Sequence, residues 1–109
     1  MPVTRKPLHF LGSSLDDLRA FPDDARRDAG FNPDFVQRGM DPLDSKPMRT
    51  VGPGAREIRV RDAASAFRVI YLATRPEGVY VLHCFQKKTQ RTPKADIDLA
   101  ANRLRLIGG

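Results

Sequence analysis

The sequence is poor in the residues that build covalent or metal cross-links. Its 109 residues include one cysteine, Cys84, two histidines and no tryptophan. A single cysteine excludes an internal disulfide, and no paired cysteine or histidine spacing of a zinc site is present, so no metal or other cofactor is expected. The first residues lack the apolar run of a signal peptide, and lysine or arginine interrupts every long hydrophobic segment. These absences predict a cytoplasmic protein that does not insert into a membrane.

Positive charge is unevenly distributed along the chain, whose formal net charge is +6. Residues 1–50 carry eight lysines and arginines and eight aspartates, whereas residues 51–109 carry eleven lysines and arginines against five acidic residues. The net charge therefore belongs to the second half. Such an excess predicts a polyanionic partner for that half, although composition does not distinguish DNA, RNA, a membrane surface or an acidic protein.

The spacing of apolar residues predicts one α+β domain over residues 1–109. A short apolar run at residues 6–12 predicts a first strand. A helix is expected to begin at Ser14, with Asp17 completing a capping box. A second helix is predicted from residue 23 to residue 39, with a kink or an early stop near Gly30 because a proline follows it closely.

The second half of the chain has the alternating pattern of strands. Residues 40–55, rich in proline and glycine, predict a connecting loop. Three strands are then predicted, at residues 56–62, 67–74 and 79–86. Thr92 followed by Pro93 predicts the start of a last helix that runs to Leu106. The expected fold is an N-terminal strand and two helices, a three-stranded antiparallel meander and a C-terminal helix, with the helices packed against the sheet.

Strand alternation predicts a basic face on this meander. Arg59 and Arg61 share a face because side chains repeat every two residues, and Arg68 lies early in the neighbouring strand. Lys87 and Lys88 follow the third strand, so four or five cations are expected on one face. Such a cluster repels itself unless it binds an anion, and the planar guanidinium of arginine bonds two phosphate oxygens at once. The pattern therefore favours a phosphate-containing ligand.

Cleavage of RNA on such a face would also need a group that transfers protons. Histidine is the side chain that titrates near neutral pH, so His83 is a candidate acid or base. Strict alternation places His83 on one face with Val79, Val81 and Phe85, and a packed core histidine is an equal alternative. Cys84 would then fall on the opposite face as a small buried residue.

Three segments carry a family resemblance: residues 52–61 (GPGAREIRVR), 67–71 (FRVIY) and 82–93 (LHCFQKKTQRTP). With these segments, the chain resembles the phage-derived HigB-like toxins of the RelE/ParE superfamily, the toxin halves of type II toxin–antitoxin modules. The resemblance implies a RelE-like toxin fold with this order of elements. It also implies cleavage of mRNA in the ribosomal A site, without metal, by attack of a 2′-hydroxyl on the adjacent phosphate.

The resemblance further implies site residues and partners. The catalytic candidates are Arg59, Arg61, Arg68 and Lys88, with His83 added from its own chemistry. The cations predicted to bind RNA are Arg56, Lys87, Arg91 and Lys94. The implied partners are a cognate antitoxin, expected to be a helix-turn-helix protein, and the ribosome with its mRNA.

One position departs from the family pattern. RelE-type toxins carry a catalytic tyrosine in the closing segment, where this chain has Thr92, Pro93 and Lys94. The proton-transfer role is therefore open between His83 and a lysine whose neutral form is favoured by nearby arginines. The departure also leaves two other functions open, which are inhibition of DNA gyrase, as in the ParE branch, and a catalytically silent module that binds an antitoxin.

Overall fold

The structure is a computed structural model that describes residues 7–27, 29, 45–61, 66–87 and 92–107. Its strands are β1 (Leu8–Phe10), β2 (Ser45–Pro47), β3 (Ala55–Arg61), β4 (Ala66–Leu72) and β5 (Val79–Lys87). Its helices are α1 (Ser14–Arg19), α2 (residues 23–27) and α3 (Lys94–Leu106). The sheet order is β1–β5–β4–β3–β2, with β1 parallel to β5 and the other neighbours antiparallel. None of these helices is long and apolar enough to cross a membrane.

The predicted α+β class, the first strand, the meander strands and the last helix are confirmed to within about two residues at most ends. The loop predicted at residues 40–55 is wrong in part, because β2 pairs with β3 and extends the meander to four strands. Three residues are too few for alternation to be visible, and Pro47 is tolerated at the edge of a sheet. The kink expected near Gly30 and residues 62–65, which connect the first two predicted meander strands, lie outside the described residues.

Helices cover both faces of the sheet. Leu18 of α1 and Ala25 of α2 pack on one face against Ile58 of β3 and Val69 of β4. On the other face, the buried Ala100 of α3 packs against a second apolar cluster that includes Leu82. β4 is buried from residue 67 to residue 72, because it lies in the middle of the sheet and under helices on both sides.

A β-bulge in β5 reverses the alternation of side chains. Ile70 lies opposite His83, but the next residue, Tyr71, lies opposite Val81, so Leu82 is an extra residue in β5. Cys84 therefore packs in the same cluster as Val81, whereas Leu82 belongs to the cluster under α3. The prediction that His83 shares a face with Val79 and Val81 is wrong, because it assumed uninterrupted alternation.

At the starts of α1 and α3, the side-chain hydrogen bonds differ from those predicted from the sequence. Ser13 is the N-cap of α1, and the hydroxyl of Ser14 donates to the carbonyl of Val81 at 3.3 Å instead of closing a capping box. Pro93 is the N-cap of α3, which leaves the Thr92 hydroxyl available for another acceptor. The serine and threonine hydroxyls thus connect the helices to the sheet.

Arg103 attaches α3 to the bulge and to the loop before α1. Its side chain donates to the carbonyl of Leu82 at 2.8 Å and to the hydroxyl of Ser13 at 3.1 Å. The approach is possible because Gly12, with φ +54°, has no side chain, and a Cβ there would lie 2.6 Å from the Arg103 Nε atom. The Arg103 side chain therefore links α3 both to the bulge in β5 and to the loop before α1.

Replacing Arg103 by methionine is expected to destabilise the protein by about 1.5–3 kcal/mol, because the buried Leu82 carbonyl loses a charged donor while the apolar stem is kept. Urea unfolding followed by circular dichroism measures the change. Arg105→Met is the matched control, since Arg105 is exposed on the same helix and its loss should cost less than about 0.5 kcal/mol. Equal stabilities of the two variants would contradict the role of Arg103.

Candidate active site

Three rows of side chains cross the face of the sheet that carries α3. The first row contains Glu57, Ile70 and His83; the second contains Arg59, Arg68 and Phe85; the third contains Ala66 and Lys87. Directly opposite residues of neighbouring strands point to the same face. The bulge before His83 changes which side chains of β5 point to this face. Because of it, His83, Phe85 and Lys87 lie in these rows.

Arg59, Arg68 and Lys87, which we call the basic cluster, lie in the second and third rows. Arg59 and Arg68 are directly opposite each other, an arrangement of like charges that is destabilising by itself. Arg68 is buried, and Arg59 and Lys87 are partly exposed. The Nε atom of Arg59 is buried without a hydrogen-bond partner in the described part of the chain. The cluster therefore has the positive charge and the spare donor that an anion would use.

Glu57 is the acidic counterpart of this cluster. Its side chain is fully buried, and its Oε1 atom lies 3.2 Å from the Nε atom of Arg68 and 3.9 Å from the Nζ atom of Lys46. The contact with Arg68 is an ion pair rather than a well-aligned hydrogen bond. The Oε2 atom accepts a 2.9 Å hydrogen bond from the Thr92 hydroxyl. Glu57 thus holds the Arg68 guanidinium in place by an ion pair. Through its hydrogen bond with Thr92, it also fixes the position of the chain just before α3.

Several charged side chains surround Lys87 at the end of β5. Burial lowers the pKa of Lys87, the neighbouring Arg68 guanidinium lowers it further, and Glu57 opposes the shift. Lys46 and Arg59 add smaller repulsions. A lysine with a lowered pKa releases its proton more readily than an isolated one, so Lys87 can serve either as a phosphate ligand or as a proton donor.

His83, which is buried, forms a pair with the partly exposed Asp96 of α3. The Nε2 atom of His83 lies 2.7 Å from the Oδ1 atom of Asp96, and the imidazole ring stacks on Phe85 with ring centres 4.8 Å apart. The carboxylate favours a proton on Nε2, which leaves Nδ1 as the acceptor of a neutral ring. Nδ1 is buried without a partner among the described residues. His83 also lines a surface pocket of about 340 Å³.

The structure brings together only some of the predicted site residues. One face of the sheet carries four of them: Arg59, Arg68, His83 and Lys87. Arg56 lies opposite Tyr71 on the other face of the sheet, and its guanidinium donates to the Ser45 hydroxyl at 3.1 Å. Lys94 is exposed at the start of α3. The strand position of Arg61 is described but its side chain is not, and Lys88 and Arg91 lie outside the described residues.

Three residues of this face were not predicted from the sequence. The sequence patterns predict no role for Glu57, and its side chain is completely buried. Thr92 is predicted only as a helix cap, and no role is predicted for Asp96. An acid in the first turn of the predicted helix was an available signal for Asp96, because that turn follows β5 within a few residues. Among the described residues, histidine, cysteine and carboxylate side chains form no group of three that could hold a metal ion.

Comparison with protein-family models gives a match over most of the chain. Residues 16–105 match the family model of the phage-derived Gp49-like proteins (DUF891), a family of toxin-like proteins. The matched segment contains the basic cluster, Glu57 and the His83–Asp96 pair. No curated protein matches the sequence significantly. The match agrees with the phage-derived and toxin-like parts of the sequence resemblance.

Removing the Glu57 carboxylate should destabilise the fold more than removing a surface charge. Glu57→Ala leaves the buried Arg68 guanidinium without its counter-charge, and we expect a loss of about 3–5 kcal/mol. Lys46→Ala is the matched control, because the Lys46 side chain is 41% exposed and such pairs contribute about 1 kcal/mol or less. Chemical unfolding measures both. A Glu57→Ala protein as stable as Lys46→Ala would show that the buried pair does not stabilise this face.

Neutralising Lys87 should raise the thermal stability of the protein. The pKa of Lys87 is lowered from its ordinary value of 10.5, so its charged form costs more free energy in the folded state than in the unfolded state. The gain in melting temperature of Lys87→Gln should be complete below the lowered pKa and should vanish as the pH rises to 10.5. Lys94→Gln, at an exposed position, is the control. A gain independent of pH would contradict the electrostatic explanation.

Proposed function

Because the chain belongs to the phage-derived Gp49-like family, we propose that it is the toxin of a type II toxin–antitoxin module and cleaves mRNA in the ribosomal A site. The observation that carries the proposal is that the basic cluster lies beside a buried histidine, paired with a partly exposed carboxylate, on one face of the sheet. The toxin-like family also supports an antitoxin partner. The proposed site of action is the cytoplasm.

The basic cluster would stabilise the charge that develops on the scissile phosphate. Arg59 and Lys87 are partly exposed and can contact phosphate oxygens directly. Arg68 is held in place by Glu57, so its positive charge is fixed before the substrate binds. Preorganised charges of this kind stabilise a transition state without reorganising during the reaction. The scheme needs no metal, because side chains supply both the positive charge and the proton transfers.

His83 would remove the proton from the attacking 2′-hydroxyl. The 2′-oxygen then bonds to the adjacent phosphorus, the bond from phosphorus to the 5′-oxygen breaks, and Lys87 supplies the proton that the leaving oxygen takes. The products are a 2′,3′-cyclic phosphate and a 5′-hydroxyl end. Asp96 would stabilise the imidazolium that forms when His83 accepts the proton, and it would hold the ring in one orientation.

Mapping of RNA 5′ ends after induction tests this assignment. The parent chain should produce new 5′-hydroxyl ends at codon-related positions. His83→Gln should reduce their yield roughly 100-fold or more, because it removes the proton acceptor. Arg59→Ala should reduce it by roughly 100-fold through loss of a charge at the phosphate. Arg105→Ala, which removes the same charge from an exposed position on α3, should leave the yield unchanged.

Other outcomes would assign the alternatives left open by the missing tyrosine. DNA damage without new RNA ends would favour inhibition of gyrase. Harmless expression together with a tight antitoxin complex would favour a catalytically silent module. Unchanged cleavage by a correctly folded His83→Gln protein would contradict the proton-transfer role of His83 while retaining the nuclease.

A further inference from the structure

One cation on each of four neighbouring strands lies on the face of the sheet that carries α3. Lys46 of β2 is directly opposite Glu57 and therefore points to this face. The basic cluster supplies the other three cations, from β3, β4 and β5. Lys46 has no part in the reaction proposed above, although it extends the same row of charges to the edge strand of the sheet.

The ammonium group of Lys46 is held near the cluster by charge and not by a hydrogen bond. Its Nζ atom lies 3.9 Å from the Oε1 atom of Glu57, and its side chain is 41% exposed. The same Oε1 atom is closer to the buried Arg68, and the Oε2 atom accepts from Thr92. An ammonium group has three donors, and at 3.9 Å none of them is bonded to Glu57. The exposed part of Lys46 can therefore reach an anion.

The row of cations is long. Neighbouring strands lie about 4.8 Å apart, so three strand spacings separate the backbones of Lys46 and Lys87 by about 14 Å across the sheet. Arg59 and Arg68 lie between them. The proposed reaction places the scissile phosphate between Arg59 and Lys87, which leaves Lys46 on the far side of Arg59. Such a row matches successive phosphates of one RNA strand, whereas a single phosphate would use only part of it.

The edge position of Lys46 has a second explanation, because a lysine on an edge strand discourages pairing with another chain. That explanation accounts for the residue type but not for the face, since a lysine on either face of β2 would serve. Lys46 instead faces other cations: burial and the Arg68 charge lower the pKa of Lys87 most, and Lys46 contributes a smaller lowering. A cation placed among like charges favours an anionic ligand.

We propose that Lys46 binds a second phosphate of the RNA strand, next to the scissile one, so that the strand crosses the sheet from β2 to β5. The proposal rests on the proposed function, because it concerns the substrate of the same face. No charge develops on the second phosphate during the reaction, so Lys46 contacts it equally in the ground state and in the transition state. Loss of Lys46 should therefore weaken substrate binding and leave the chemical step unchanged.

Binding of short RNA analogues by the free protein tests the second phosphate without requiring cleavage. The probes are a 2′-O-methyl RNA trimer with two phosphates, which lacks the attacking hydroxyl, and two versions in which one or the other phosphate is a neutral methylphosphonate. In amide NMR titrations, the parent chain should bind the fully charged trimer roughly 3- to 30-fold more tightly than either neutralised version. Lys46→Gln should bind the charged trimer no more tightly than one of the neutralised versions, and Lys46→Arg should restore the difference.

A second measurement is the salt dependence of binding to the charged trimer. Lys46→Gln should reduce the slope of log affinity against log salt concentration by about 0.7, as expected for one lost phosphate contact on a single strand. Arg49→Gln is the matched control, because it removes one charge from an exposed position in the turn after β2 and should change neither the slope nor the preference. A parent chain that does not distinguish the trimers, or a Lys46→Gln protein that keeps the whole preference, would overturn the proposal.

Kinetics on ribosomes programmed with mRNA separate this proposal from the proposed function. If both are correct, Lys46→Gln should raise KM roughly 3- to 30-fold with kcat unchanged, whereas Arg59→Ala should lower kcat. A fall in kcat alone would overturn the role of Lys46. Absence of cleavage by the parent chain would overturn the nuclease function, and the trimers, which cannot be cleaved, would still decide the binding role of Lys46. Weaker antitoxin binding by Lys46→Gln with unchanged trimer binding would overturn the proposal and assign Lys46 to the protein partner.

Discussion

The buried carboxylate of Glu57 organises the face on which the basic residues meet. An arginine as buried as Arg68 is strongly unfavourable without a counter-charge, and Glu57 supplies that charge 3.2 Å away. Its second oxygen accepts the Thr92 hydroxyl, and Thr92 stands two residues before α3. The same carboxylate therefore balances the positive charge of Arg68 in the sheet. It also fixes the start of the helix that carries Asp96. Arg68 and the His83–Asp96 pair depend in this way on one buried residue.

The bulge at Leu82 has a comparable effect on geometry. One extra residue in β5 moves His83 to the face that carries α3, where Asp96 can reach it. The carbonyl of Leu82 is in turn bound by Arg103, which also reaches Ser13. Because the Ser13 hydroxyl donates to Asp17, a continuous chain of hydrogen bonds joins α3 to α1. Local irregularity of the strand is thus stabilised by a long-range contact.

Local patterns in the sequence predicted what depends on local backbone geometry. Alternation correctly separated Arg59 from Ile58 and Val60, because period two holds wherever a strand is regular. It failed at His83, since nothing in the composition of β5 marks an extra residue. The burial of Glu57 also escaped prediction, because its partner Thr92 lies 35 residues away and pairs with it only in the folded chain. The arrangement of the candidate site is therefore the part of the molecule that sequence patterns describe least well.

The charge balance of the basic cluster favours the binding of an anion. Among the described residues, Glu57 is the acidic side chain that contacts the cluster, and it faces Lys46 and Arg68 while Arg59 and Lys87 add further positive charge. Among the described residues, one carboxylate thus faces four cations, and this part of the face carries an excess of positive charge. A fold selected only for stability would replace some of these cations with neutral residues. A phosphate bound between Arg59 and Lys87 would offset this excess of positive charge, and in the proposed reaction the effect would be strongest where negative charge increases.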